Sequence, residues 1–147
     1  MPTAPKLVAA FLLCGLGFGV ALLAVAYAPP HVRTGNVPVI AAGLGLLWGW
    51  RFLGRNVGRG VTTSLGIGLT AAAALALTSV LLIGFIQMIQ RSMRLSYGDP
   101  VEALQDWIAI SIADAGTYVL NADVIGALLV GGLVAGLICE ISGRIWS

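Results

Sequence analysis

Residues 7–28 form an unbroken run of 22 residues without a charged side chain, enough for one helix to cross a hydrocarbon layer about 30 Å thick. Three further apolar blocks follow, at residues 37–53, 61–90 and 124–141. An ordinary soluble domain carries roughly 25% charged residues, whereas this chain of 147 residues is 10% charged and 59% hydrophobic, with a mean hydropathy of +0.98. So little polar surface cannot cover a water-soluble globule, and the solvent of the chain is lipid.

The pattern predicts an all-α membrane protein, a single integral membrane domain over residues 1–147. It has four transmembrane helices and an amphipathic interfacial helix between the third and fourth. Ala26-Tyr27-Ala28 has the small-x-small form of a signal-peptidase site. The run is longer than the roughly 7 to 15 residues of a signal core, and Pro29 would follow the cut, so the segment is expected to stay as a span ending at Pro29-Pro30. The second block opens with Asn36 as N-cap and Pro38 in the first turn, and closes at Trp48, Trp50 and Arg51, a combination suited to a membrane interface. A basic, glycine-rich turn at residues 54–60 leads to the third block, which is too long for a perpendicular crossing and must tilt or protrude toward Arg94. The fourth is opened by Asn121 and Asp123 and closed by Arg144 and Trp146.

The one extended polar region lies between the third and fourth blocks. Asp99, Pro100 and Glu102 make a helix start for residues 100–120. Val101, Leu104, Ile108, Ile112, Ala115 and Val119 recur at helical spacing, with Glu102, Asp106, Ala109, Ala113 and Thr117 on another face. An acidic polar face suits an anionic lipid surface poorly, so the apolar face is expected to lie against the bundle or a partner. If the spans alternate, Lys6, Arg51, Arg55, Arg59 and Arg144 share one side and Arg33, Arg91 and Arg94 the other. That bias predicts both termini in the cytoplasm and the acidic helix outside.

Glu140 is the acid that comes nearest a span interior. It falls in register with Gly132 and Gly136, so it faces protein, and two roles compete for it. One is a structural ion pair with Arg144 and the Arg51, Arg55 and Arg59 turn; the other is an ion or proton pathway, for which no second intraspan acid is at hand. Arg55 and Arg59 could also hold an oxyanion such as a lipid phosphate, against the simpler role of setting topology. The pairs Gly15 and Gly19, Gly45 and Gly49, and Gly132 and Gly136 are spaced for close helix packing, within the chain or between copies. Thr62, Thr63 and Ser64 read as helix-start caps, Cys14 and Cys139 as small packing residues, and His31 as a solvated loop residue. Two cysteines and one histidine suit neither a disulfide scaffold nor a zinc site, and a net charge of +2 does not make a nucleic-acid surface. No cofactor, metal or catalytic residue is expected. The partners expected are the lipid bilayer and either a larger membrane complex or a second copy.

Residues 1–10 (MPTAPKLVAA), the Gly58-Arg59-Gly60-Val61-Thr62 turn, the Tyr97-Gly98-Asp99-Pro100-Val101-Glu102-Ala103-Leu104 helix start and residues 124–132 (VIGALLVGG) together resemble the tellurite-resistance TrgA family, in the same order over almost the whole chain. The resemblance implies a small bacterial inner-membrane protein associated with tolerance to the tellurite oxyanion. It implies no catalytic residue. Three molecular roles follow as expectations: a non-enzymatic packing or docking protein of a membrane complex, a small oligomeric oxyanion transporter, or an accessory subunit of a respiratory or photosynthetic complex unrelated to tellurite.

Overall fold

The computed structural model describes residues 4–27, 35–56, 58–94 and 98–145, and every regular element among them is helical. Helix α1 spans Ala4–Ala26, α2 spans Val37–Trp48, α3 spans Val61–Ser92, α4 spans Pro100–Asp114 and α5 spans Ala122–Ile145. Two of them end in π-helical turns: α2 runs on through Gly49–Leu53 and α4 through Ala115–Val119. Helices α1, α3 and α5 are long and apolar enough to cross a membrane. Helix α2 has 12 residues and its π turn five more, so that segment is shorter than the others.

Small residues decide which helices touch. Along α1 and α2, Gly17 meets the Ala41 carbonyl, Gly45 the Leu13 carbonyl, Gly49 the Ala9 carbonyl and Gly54 the side chain of Lys6. These pairs step up one helix as they step down the other, so the two helices are antiparallel. Helices α3 and α5 repeat the arrangement, with Gly68 against Gly132 and Gly136, Ala72 against Gly132, and Ser64 against Gly136. A Cβ at Gly68 would overlap the Gly132 carbonyl oxygen, and one at Gly136 would overlap that of Ser64. Gly131 receives the side chain of Leu16, and Tyr27 donates its hydroxyl hydrogen bond to Asp123, which sets α1 antiparallel to α5. Between the helices, Ala9, Leu13, Leu53, Ala71, Leu75, Ala135 and Cys139 form one buried cluster.

Within the chain, the close contact of the first helix falls on Gly17 and not on Gly15 or Gly19. Gly15 and Gly19 have open space where a side chain would stand, and Gly17, halfway between them, carries the contact. Residues two apart in a helix point about 200° from one another, so the flanking pair faces away from α2. One sequence expectation is corrected at a helix end. Gly60, not a hydroxyl residue, caps α3, whereas Asn36 and Asp99 stand at the N-caps of α2 and α4 as expected, without a side-chain cap hydrogen bond. Instead Glu102 reaches back to accept from the Gly98 N–H at 3.1 Å, and the Trp48 indole donates to Thr78 Oγ1 at 3.0 Å. Trp48 therefore points toward the third helix. Pro29, Pro30, His31, Arg33, Tyr97 and Trp146 lie outside the described residues.

Leucine at Gly68 or Gly136 is expected to destabilise the bundle by about 2 kcal/mol or more, because backbone stands where the side chain must go. Leucine at Gly15 or Gly19 should leave it unchanged. Thermal unfolding of the detergent-solubilised protein separates the two pairs, and equal losses would contradict the packing described.

Candidate functional site

One end of the bundle is organised by a buried carboxylate. Glu140 is 2% exposed, and its two oxygens receive four donors from three parts of the chain. Oε2 accepts from the Ser64 hydroxyl at 2.7 Å and the Gly58 N–H at 3.0 Å; Oε1 accepts from the Gly60 N–H at 3.3 Å and Arg144 Nε at 3.3 Å. The turn can aim two alternate N–H groups at one point because Gly58 and Gly60 have φ of +89° and +101°, a region that side chains disfavour. Successive amides so arranged form an anion-binding concavity, and here the anion is supplied by the chain itself.

This geometry decides how the sequence-derived site residues are placed. Arg144 pairs with Glu140, one turn away on the same helix. Arg51, Arg55 and Arg59 are exposed and form no ion pair among the described residues. The link from α5 to the turn at residues 54–60 therefore runs through backbone amides and Ser64, and not through the arginines of that turn. Ser64 was expected to cap its helix; it faces inward because residue 64 lies on the same stripe as Gly68 and Ala72. Cys14 and Cys139 are free thiols on different helices, the second fully buried. Among the described residues, no three potential metal ligands come together.

The other end is polar for a different reason. Helix α3 outruns its neighbours, and α4 is fastened to that extension. Trp107 Nε1 donates to the Leu81 carbonyl at 2.9 Å, Gln87 Nε2 donates to Asp114 at 2.8 Å, and Arg91 Nη1 donates to both carboxylate oxygens of Asp106 at 3.0 and 3.1 Å. Gly84 lets Ser111 approach, and Phe85 meets the Trp107 ring edge to face. The helix meets α3 along Asp106, Trp107, Ile110, Ser111 and Asp114, while Ile108, Ile112, Ala115 and Val119 of its apolar stripe border an apolar groove against α3 and α5. The last turns of α3 present Gln87 and Arg91, for which acids are the better partners. Val101, Leu104, Ile108 and Ile112 are left 50–67% exposed.

Beneath this extension lies a cavity of about 780 Å³, bounded by α1, α2, α3, α5 and the π turn after α4. Its lower walls are aliphatic, including Val20, Ile40, Leu75 and Leu128, and its upper rim carries Gln87, Gln90, Arg94, Asp114 and Tyr118. Ser79 lies in the wall between, 9% exposed, with no hydrogen-bond partner for its hydroxyl among the described residues. At the rim, burial raises the Asp114 carboxyl above the ordinary range, against the lowering effects of the Gln87 hydrogen bond and the Arg91 charge. Burial, then the Asp114 charge, likewise raises the Tyr118 phenol.

No family model, curated protein or solved structure matches the chain.

Replacing Glu140 by Ala leaves three donors of the turn and Ser64 without an acceptor, and is expected to cost about 3 kcal/mol or more. Arg144→Ala removes a partner whose side chain is 63% exposed, and is expected to cost under about 1 kcal/mol. Thermal unfolding of both variants checks the ratio; a larger loss for Arg144→Ala would contradict the site. Asp114 gives a pH test. Its raised folded pKa means that the folded protein binds the proton more tightly than the unfolded chain, so stability is lost as pH rises through that value and recovered below it. Asp114→Asn keeps an acceptor for Gln87 without burying a charge. It is expected to melt higher than the parent at pH 7, with the advantage vanishing toward about pH 4. A lower melting temperature at pH 7 would show that the carboxylate's charge is favourable there.

Proposed function

We propose that the chain crosses a bacterial inner membrane four times, with α1, α2, α3 and α5 as spans, α4 at the outer interface and both termini cytoplasmic. Its role in this reading is non-enzymatic packing and docking to a larger membrane complex, associated with tellurite tolerance. Alternating helix directions support four passes. The end that holds Lys6, the turn at residues 54–60 and Arg144 carries the basic residues that would mark the cytoplasmic side. The tellurite association rests on the resemblance to the TrgA family.

The observation that carries the docking role is the orientation of α4. Polar contacts hold it to α3, while the stripe of Val101, Leu104, Ile108 and Ile112 stays half or more exposed, its last two residues bordering an open apolar groove against α3 and α5. Such a stripe buries itself in lipid or against another membrane helix. Transport by proton or ion relay is disfavoured by Glu140, whose oxygens are already held by four donors.

Extraction from native membranes in mild detergent is expected to yield the protein with a stoichiometric partner. Ile108→Glu with Ile112→Glu should release that partner without lowering the melting temperature of the isolated chain. A partner-free particle from native membranes, together with tellurite flux across vesicles of the pure protein, would overturn the reading in favour of a transporter. Labelling of single cysteines at Asn56 and Gln105, in a background lacking Cys14 and Cys139, tests the topology. Membrane-impermeant reagent applied to intact spheroplasts should reach position 105 and not 56, and the reverse would invert the orientation.

A further inference from the structure

The arginines that surround the turn before α3 have no task inside the chain. Arg51, Arg55 and Arg59 are exposed and form no ion pair among the described residues. The reason lies in how Glu140 is satisfied. It is the one acid at this end of the bundle, and the Gly58 and Gly60 amides, Ser64 and Arg144 already fill its oxygens. Three guanidinium groups are therefore left with their charge uncompensated.

Charge is sorted along the bundle as a result. Lys6 meets Gly54, and Arg144 shares Glu140 with the Gly60 amide, so both stand beside the turn at residues 54–60. Five basic side chains against one acid give this end a formal charge of +4. The other five acids lie at the opposite end: Asp99, Glu102, Asp106 and Asp114 at the start of α4 or on it, and Asp123 at the start of α5.

Two features select what such a surface meets. The amides that could cradle a small free anion are turned on Glu140, so an external anion must be held by side chains alone. Four of the five cations also have an exposed apolar residue close by in the chain: Leu7 beside Lys6, Trp50 beside Arg51, Val61 after Arg59, and Ile145 beside Arg144. A free oxyanion has no use for that hydrocarbon surface. A phospholipid has, because its phosphate sits where its acyl chains begin, and a guanidinium fork matches phosphate oxygens two at a time.

We propose that this end of the bundle is a binding surface for anionic phospholipid. Arg51, Arg55 and Arg59 hold the phosphate, and the acyl chains lie on the apolar residues beside the cations. Selectivity follows from the charge of +4, since a zwitterionic head carries a cation of its own that this surface repels. The surface needs only a lipid leaflet at this end, and depends neither on the docking role nor on tellurite.

The test is native mass spectrometry of the delipidated protein, titrated with dioleoylphosphatidylglycerol and, separately, with dioleoylphosphatidylcholine, which share their acyl chains and differ in the head. Adducts of the anionic probe are expected to be about tenfold tighter, because each arginine near an anionic surface contributes roughly fivefold. Arg55→Gln with Arg59→Gln should bring the preference to about twofold or less. Arg94→Gln, exposed at the opposite end, should leave it unchanged. A melting temperature measured alongside shows whether the double variant is folded; should it fail, Arg55→Gln and Arg59→Gln are read singly. Arginines that serve only to orient the chain during insertion predict no difference between the two lipids in the purified protein. Equal affinity for the two probes, a preference that survives in the folded arginine variants, or an equal loss on Arg94→Gln would each overturn the proposal. Sodium phosphate separates lipid from free anion: at matched ionic strength it should leave the melting temperature unchanged where phosphatidylglycerol raises it. Equal stabilisation by inorganic phosphate would overturn the lipid assignment.

Discussion

Backbone-to-backbone approach between α3 and α5 is the constraint from which the rest of the structure follows. In lipid there is no hydrophobic gain from bringing two apolar helices together, because the acyl chains they displace are as apolar as leucine. What remains is dispersion at short range and hydrogen bonding shielded from water, and both require small residues at the contact. Gly68, Ala72, Gly132 and Gly136 provide the first, and Ser64 with Glu140 provides the second at the end of the same stripe. The pairs run in a fixed antiparallel register, so the hydrogen bond and the glycine contacts reinforce one another.

That register gives the molecule two unlike ends. Where the small residues run, the helices close up, and Glu140 can reach across to the turn before α3 and gather its amides. Farther along, Val124 and Leu128 replace the glycines of α5 and pack with Ala72. Bulkier side chains hold the helices apart, and the cavity opens at that level. The extension of α3 beyond its neighbours then needs a cover, and α4 provides it through Asp106, Asp114 and Trp107. One end is a closed latch around a single acid; the other is a chamber with a polar rim.

The helical architecture was legible in the sequence because uncharged runs and a 3.6-residue period are first-order consequences of solvent and backbone geometry. The role of Glu140 was partly legible. Its register with Gly132 and Gly136 placed it against protein and tied it to the turn, but which atoms bind it depends on two positive φ values that composition does not encode. Ser64 is open to the same spacing rule, since Ser64, Gly68 and Ala72 recur every four residues, but a hydroxyl at a helix start has two uses and the spacing alone does not choose between capping and packing. The contacts of α4 are open for a related reason: an amphipathic pattern shows that two faces differ, but not what each one meets, and the α3 extension offers Gln87 and Arg91 to Asp114 and Asp106. The cavity left no linear signature at all, since it arises from where large and small residues on four helices coincide in height.

The claim that a buried carboxylate latches the turn between α2 and α3 is tested most directly by hydrogen exchange of two backbone amides. Gly58 and Gly60 lie in a turn outside any regular helix, where an amide unconnected to anything would exchange at close to the rate of an open chain. The account predicts that both are strongly protected in the wild-type protein and that both lose protection together in Glu140→Ala, while amides in the middle of α1 keep theirs. Exchange of Gly58 and Gly60 at open-chain rates in the wild-type protein would contradict it.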